Sequence, residues 1–382
     1  MIPSNKKSDQ KKFLFLIDNM MGGGAEKAIK VLYEELLKNN KNILLLLLEN
    51  QVQYDFKRPD DYQYLSEKIS LLNFLIIFFK FISFLRKNNI THVYATNTKA
   101  HFLMLLTAPF IKVNRILNFQ VDIKNHYNDR KILLYIYTKL FRFADSFSFI
   151  SEGIYKNIKN YIPKKSFSFL PNAIDLYEIN NLAQEEIDDE YKHIFDKKVV
   201  INIGRLTEQK NQSLLLKSFA NIDIDSNLII MGNGELKESL VNEAENLQIG
   251  HKVFFLNFQQ NPFKFLFRSD LFVLSSDWEG FGNVIVEAMQ CKLPVVSINC
   301  PSGPSEIINP GKLKNSSKLV YGNYGALVSI GEQEYLSIAI KKFLVDTKLN
   351  LKYRKLSFDR AKDFDVRNVS KIFLRNIFND GY

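Results

Sequence analysis

Three short segments in the second half of the chain carry the side chains best suited to chemistry. In the first, the apolar run Val199–Ile203 ends at Gly204-Arg205, and Lys210 follows five residues later. Two long cations at a strand end, over the start of a helix, make a clamp for a diphosphate: Arg supplies a two-pronged fork and Lys a point charge. In the second, Met231-Gly232-Asn233-Gly234 is a strand-to-helix glycine turn that puts Gly234 on the same edge. In the third, Ser275 to Met289, Glu279 lies in the loop after a buried strand and Glu287 lies one turn into the next helix. Gly280 and Gly282 let that loop fold tightly. The helix start at Gly282, Asn283 and Val284 suits a phosphate. Glu287 could accept both hydroxyls of a ribose, and Glu279 could meet a second sugar or the charge developing on it. Two carboxylates are also the acid and base of a glycoside hydrolase, and a structural pair at a helix start would account for them too. Their neighbours, however, are phosphate-binding glycines and cations, which a hydrolase does not need.

One more segment belongs with these. Gly22-Gly23-Gly24 sits between a strand ending near Asp18 and a helix from Ala25, where bare backbone could approach a ligand. The spacing is neither G-x-G-x-x-G nor a Walker loop, and no suitably placed acidic residue follows, so a dinucleotide-binding dehydrogenase is a poor match.

The elements that must hold these residues alternate between short apolar runs and longer helical patterns, which predicts parallel sheets in α/β units. In the first half the strands are expected at Phe13–Ile17, Ile43–Leu48, His92–Ala95, Arg115–Phe119, Ser146–Ile150 and Ser166–Leu170. In the second they are expected at Val199–Ile203, Leu228–Met231, Val253–Leu256, Leu271–Leu274 and Val295–Ile298. Helices are expected at Ala25–Lys38, Lys131–Phe143, Glu152–Tyr161, Asn211–Phe219, Leu236–Asn246 and Asn283–Gln290. Two doubly wound domains follow, at 1–171 and 198–364, with an acidic connection at 172–197. A final helical segment at 365–382 is expected to return to the first domain. A ligand cleft is expected between the domains, at the strand C-termini.

With 382 residues the chain is long enough for two cores, and 46% hydrophobic against 24% charged residues is a globular balance. Cys291 and Cys300 cannot form a disulfide framework, and the histidines lack ligand spacing, so neither structural metal nor an oxidising compartment is expected. The first twelve residues have no apolar leader core, which predicts a cytoplasmic protein. The net charge of +10 is uneven: residues 1–170 hold 26 Lys and Arg against 14 Asp and Glu, whereas residues 171–382 hold 25 against 27. That basic half also contains Ile69–Leu85, too interrupted for a comfortable membrane span and expected as a buried or interfacial helix. Cations beside Phe- and Leu-rich segments suit an anionic membrane surface. Nucleic acid is not expected as a partner, since no zinc-finger, RNP or basic-zipper pattern occurs.

The segments GGGAEKA, FISEGI, LPNAID, GRLTEQKN, MGNGEL, EGFGNVIVEAM and NCPSGPSEII follow the order seen in family 4 retaining glycosyltransferases. Over residues 12 to 380 the chain resembles a GT-B enzyme, two Rossmann-like α/β domains facing a cleft. It is similar to bacterial members that extend lipid-linked oligosaccharides for O-antigen, capsule, lipopolysaccharide core or N-glycans. The resemblance implies a UDP-sugar donor carrying a hexose or N-acetylhexosamine, a lipid-linked saccharide acceptor, and no bound divalent metal or other cofactor. It assigns Arg205 and Lys210 to the donor diphosphate, and Gly204 and Gly234 are expected among the substrate-binding residues. Glu287 goes to the ribose, Glu279 to the donor sugar, and Gly282, Asn283 and Val284 to backbone contacts. Gly22, Gly23 and Gly24 would lie near the diphosphate and acceptor. It implies transfer with retention, the leaving diphosphate itself taking the acceptor proton, at the inner face of the membrane. In two places the chain departs from its relatives. Gln120 stands where many of them carry a histidine near the donor sugar, with His126 as the alternative. Gln can hydrogen-bond a hydroxyl but carries no proton at neutral pH. Asn257 replaces a glycine common beside the uracil pocket.

Overall fold

The computed structural model describes residues 11–39, 42–56, 61–70, 72–123, 130–310 and 317–378. The chain divides into two compact units, one of Met1–Ala173 with Val369–Tyr382 and one of Ile174–Asn368.

The first unit runs β1 (Phe13–Ile17), α1 (Gly24–Asn39), β2 (Ile43–Glu49), β3 (Gln63–Ser66), α2 (Phe74–Lys87), β4 (His92–Thr96) and α3 (Thr98–Leu106). It continues through β5 (Asn114–Phe119), α4 (Lys131–Leu140), β6 (Ser146–Phe149), α5 (Glu152–Ile158) and β7 (Ser166–Phe169). Its strands form one parallel sheet in the order β3-β2-β1-β4-β5-β6-β7. All five side chains of β1 are buried, as expected of a central parallel strand covered on both faces. The α4 helix gives way to a 3-10 turn at Phe141–Phe143, and α5 does the same at Lys159–Tyr161. In α2, Ile77, Phe78, Phe81, Ile82 and Leu85 are buried, while Leu75 (67% exposed) and Phe79 (64%) face solvent. No helix among the described residues is long and apolar enough to cross a membrane.

The second unit begins with α6 (Leu176–Ala183) and α7 (Asp189–Lys192), then β8 (Lys198–Ile203), α8 (Gln212–Ala220), β9 (Ser226–Met231), α9 (Lys237–Asn246) and β10 (Val253–Leu256). Next come α10 (Phe263–Arg268), β11 (Leu271–Leu274), α11 (Asn283–Gln290), β12 (Val295–Ile298) and α12 (Pro304–Ile308). The unit closes with β13 (Leu319–Tyr321), β14 (Ala326–Val328), α13 (Gln333–Val345) and α14 (Thr347–Ala361). The sheet order is β10-β9-β8-β11-β12-β14-β13, parallel except for the β13–β14 pair. Within 172–197, read above as a connection, α6 buries Leu176, Ile179 and Ala183, and Ile174 bridges to Asp365 of the same unit. The apolar spacing of that short helix is masked in sequence by its acidic continuation.

The last helix, α15 (Val366–Phe373), leads into a π-helical turn, Leu374–Phe378. Phe373 and Phe378 stack on Phe15 and Phe13 respectively, with centroids 5.4 and 4.4 Å apart, so this segment covers the first sheet at β1. Aromatic packing of that kind adds to the area buried.

Candidate active site

The strand order reverses between β1 and β4 in the first unit and between β8 and β11 in the second. At such a reversal the C-terminal loops of the two strands lead to opposite sides and leave a crevice where ligands bind. In the second unit those loops hold Arg205 with Lys210, and Glu279. The sequence places them about 70 residues apart; the sheet order makes them neighbours.

Hydrogen bonds zip the two loops together. Asp277 donates its N–H to the Gln209 carbonyl (3.0 Å), Gln209 Nε2 donates to the Trp278 carbonyl (2.7 Å), and the Ser275 hydroxyl donates to the Lys210 carbonyl (2.7 Å). Asn211, at φ 45°, donates Nδ2 to both Asp277 carboxylate oxygens (3.1 Å) while its Oδ1 accepts Leu214 N–H (3.2 Å) and caps α8. Lys210 Nζ then meets Glu279 Oε1 at 2.5 Å, with the two side chains only 16% and 9% exposed. Its stem crosses Gly204, where a Cβ would lie 3.4 Å from Lys210 Cδ and Cε. Behind Glu279, the Ser302 hydroxyl donates to the Glu279 carbonyl. Arg205 is exposed.

The glycine turn after β9 braces the backbone of residues 204–206. Leu206 donates its N–H to the Asn233 carbonyl (2.9 Å), and Leu236 donates to the Leu206 carbonyl (3.1 Å). Gly232 has φ +140°, and a Cβ on it would fall 2.1 Å from the Gly204 carbonyl oxygen; one on Gly234 would fall 2.2 Å from that of Leu206. No side chain fits at either position, so these glycines fix the backbone path of Gly204 to Leu206. On the other side, Gly282 (φ +94°) is the N-cap of α11, with no capping side chain. Asn283 and Val284 form the first turn of that helix, and Glu287, half-buried, lies one turn further along.

In the first unit the loop after β1 is tied down by Met20, which exchanges backbone hydrogen bonds with Gln51 (2.8 Å) and Gln53 (2.9 Å), and by the Tyr54 hydroxyl on the Gly23 carbonyl (2.9 Å). Gly22 and Gly23 form this turn, and Gly24 opens α1. Gln120, at the end of β5, is buried; its Nε2 donates to Asn118 Oδ1 (2.7 Å), and its Oε1 has no partner among the described residues. A buried acceptor left unpaired costs about 1–3 kcal/mol, which a ligand hydroxyl would recover. His126 lies outside the described residues.

Several contributors were not singled out by the sequence: Gly232, Asn211, Asp277 and Ser302 in the second unit, and Asp18 in the first. The first four sit inside the quoted motifs, and only their pairing reveals the role. Asp18, at the end of β1, accepts Ala100 N–H on Oδ1 (2.7 Å) and Lys99 N–H on Oδ2 (3.4 Å), joining the glycine loop's strand to the start of α3. Burial pushes its carboxyl up to about 6, against the pull of those two N–H groups and of Lys99; Glu49 nearby pushes in the same direction as burial. Buried His101 is accounted for as structure. Its Nε2 meets the Ala95 carbonyl (2.9 Å) and its Nδ1 the Tyr137 hydroxyl, and burial lowers its pKa to about 4, so it is neutral.

Two doubly wound units of this kind make up the GT-B fold. Residues 183–358 match the family model "Glycosyl transferases group 1". The chain is 35% identical over 266 residues to an uncharacterized glycosyltransferase of Methanocaldococcus jannaschii, a match that covers 63% of this chain and 65% of that protein. It is 26% identical over 378 residues to a Campylobacter jejuni enzyme, N-acetylgalactosamine-N,N'-diacetylbacillosaminyl-diphospho-undecaprenol 4-alpha-N-acetylgalactosaminyltransferase, covering 95% of this chain and 98% of that one. Among solved structures, Anabaena HepE in complex with UDP superposes with a TM-score of 0.81 over 96% of this chain and all of HepE, at 20% identity.

Proposed function

We propose that the chain transfers a hexose or N-acetylhexosamine from a UDP-sugar, with retention, to a lipid-linked saccharide in bacterial surface-polysaccharide synthesis. The observation that carries this is the Lys210–Glu279 pair at the strand reversal of the second unit, beside the exposed Arg205. Support for the acceptor comes from the Campylobacter relative, whose name specifies a diphospho-undecaprenol-linked saccharide and which aligns over nearly the whole chain. Support for the nucleotide comes from the UDP held by HepE.

In this mechanism Arg205 and Lys210 hold the donor diphosphate, with Gly204 and Gly234 permitting close backbone approach. The bond between the anomeric carbon and the diphosphate oxygen breaks while the acceptor hydroxyl bonds to the same face of that carbon. The acceptor proton passes to the departing diphosphate oxygen, and UDP leaves. Negative charge grows on the diphosphate, so fixed cations there act where the transition state needs them. Glu279 orients Lys210 before the donor arrives and then faces the donor sugar; Glu287 takes the ribose hydroxyls. Gly282, Asn283 and Val284 supply backbone groups at the helix start, Gln120 Oε1 accepts a sugar hydroxyl, and Gly22–Gly24 admit the acceptor. The two cations supply the charge that a divalent metal supplies elsewhere, so turnover is expected to survive a chelator. We place the enzyme on the inner face of the cell membrane, with the exposed apolar side chains of α2 and α4 against it.

The test is a transfer assay with a panel of UDP-sugars and a short-chain polyprenyl-diphosphate saccharide, with product linkage read by NMR. Transfer from one UDP-sugar with its anomeric configuration kept supports the proposal. An inverted product, or no acceptor-dependent release of UDP from any donor, refutes it.

A further inference from the structure

The first unit holds a groove of about 850 Å³ between α4 and residues 160–163. Lys131, Lys139 and Arg142 line it together with Tyr135, Thr138 and Tyr161, and no carboxylate is among the lining residues. Between residues 130 and 165 the sequence holds eight Lys and Arg against two acids, Asp145 and Glu152. Both acids are engaged elsewhere: Asp145 Oδ2 accepts Arg115 N–H (2.7 Å), and Glu152 pairs with Lys156 (2.9 Å). Lys165 Nζ donates to the carbonyls of Arg142 (2.7 Å) and Ala144, fixing the backbone at the groove's end while the Arg142 side chain stays exposed. Lys139 lies over the Tyr135 ring, 5.1 Å from its centroid.

Three cations without an acid select a phosphate group. What surrounds them selects its source. On α4, Leu134 and Tyr137 are buried, whereas Ile132 (79% exposed), Leu133 and Ile136 stand out beside the groove. Beneath it, buried Tyr137 stacks on Phe102 of α3 (4.9 Å), which holds α4 on the unit, and Phe110, just after α3, packs edge-on against Phe78 of α2 (5.5 Å). Isolated cations suit nucleic acid or an acidic protein. Cations and aromatic rings set among exposed aliphatic side chains suit a bilayer, with headgroups at the cations and acyl chains at the aliphatic groups.

We propose that the groove between α4 and residues 160–163 binds the phosphate headgroup of an anionic glycerophospholipid. This rests on the membrane-surface reading above and adds a discrete site to it. The test uses the full chain, floated with vesicles of phosphatidylcholine alone and of phosphatidylcholine with phosphatidylglycerol. It compares wild type, K139Q/R142Q, and a charge-matched control, K341Q/K355Q, in α13 and α14. Calorimetry with a short-chain soluble phosphatidylglycerol, inorganic phosphate, pyrophosphate and a short RNA oligomer completes it.

Loss of two groove cations should weaken binding to the anionic vesicles about thirty-fold. The control should stay within about threefold of wild type, each variant should keep the wild-type Tm and UDP affinity, and the soluble lipid should bind wild type better than either inorganic anion. A groove variant that floats like wild type overturns the site and leaves the membrane reading standing. An equal loss in the control also overturns it, because charge alone would then suffice. Pyrophosphate or phosphate binding as tightly as the soluble lipid reassigns the groove to a free anion, and tighter binding of an RNA oligomer reassigns it to nucleic acid. Wild type that binds the soluble lipid yet floats with neither vesicle refutes the membrane reading while keeping the groove; failure of both refutes both.

Discussion

Replacing Lys210 by methionine keeps most of the stem that crosses Gly204 and removes only the charge. Two consequences can be worked out. Lys210 and Glu279 meet at 2.5 Å with little exposure, so the variant leaves a buried carboxylate without its partner, costing about 3 kcal/mol of stability. In catalysis, a cation about 4 Å from the departing diphosphate at an effective dielectric near 20 contributes ~4 kcal/mol. With Arg205 still present to share the charge, kcat should fall about 10²–10³-fold. The two effects separate in the double variant Lys210→Met/Glu279→Gln, which has no unpaired charge. Its stability should return to within ~1 kcal/mol of wild type, while turnover stays low. The assay pairs urea unfolding with single-turnover transfer at saturating donor. If Lys210→Met turns over within about threefold of wild type, or if the double variant regains activity along with stability, Lys210 is only a counter-ion for Glu279 and the clamp assignment is wrong.

Four further outcomes follow from the geometry. Gly232→Ala would drive a Cβ to 2.1 Å from the Gly204 carbonyl, so UDP affinity should collapse with a loss of at least ~2 kcal/mol in urea unfolding, while Asn233→Ala at the same turn should be milder on both counts. Glu287→Ala should raise the Kd for UDP about tenfold and leave the Kd for inorganic pyrophosphate unchanged, as equilibrium titration would show. The Asp18 carboxyl is raised to about 6 by burial, so the folded chain holds a proton that the unfolded chain has lost between about pH 4 and 6. Stability from this group is therefore greatest at the acid end and falls by ~2–3 kcal/mol as pH rises through that window. Urea midpoints for wild type and Asp18→Asn should diverge across it, and a constant difference between pH 4.5 and 7.5 would refute the shift. Leu75→Ser/Phe79→Ser should release the chain from phosphatidylcholine–phosphatidylglycerol vesicles with no change in UDP binding, because both side chains are exposed.

What the sequence made legible was whatever depends on local pattern. The buried runs of β1, β2 and β8 to β12 announce themselves because a parallel strand covered on both faces must be apolar throughout. The strands that escaped have little to show: β3 reads Gln-Tyr-Leu-Ser on a sheet edge, and β13 and β14 are three residues each. The α3 helix escaped because His101 and the apolar residues around it are buried nearly all round, leaving no amphipathic stripe. Arg205, Lys210 and Glu279 were picked out by type and by their position after strands. Their assembly depends on β8 and β11 being neighbours, and on Asn211 adopting a left-handed conformation that lets one side chain hold both Asp277 and α8. Gly232 shows the same limit, since its need for no side chain comes from the Gly204 carbonyl, 28 residues earlier in the chain. Gln120 was singled out only through the resemblance, and its oxygen, unpaired among the described residues, depends on Asn118 engaging the amide nitrogen.

In the function proposed, the second unit grips a uridine diphosphate through Arg205 and Lys210 without a metal. Calorimetric titration of wild type and Arg205→Ala with UDP, GDP and ADP, with and without a chelator, tests it most directly. UDP should bind in preference to the other two, indifferent to the chelator, and at least tenfold more weakly to the variant. UDP binding that the chelator abolishes, or that Arg205→Ala leaves intact, would contradict it.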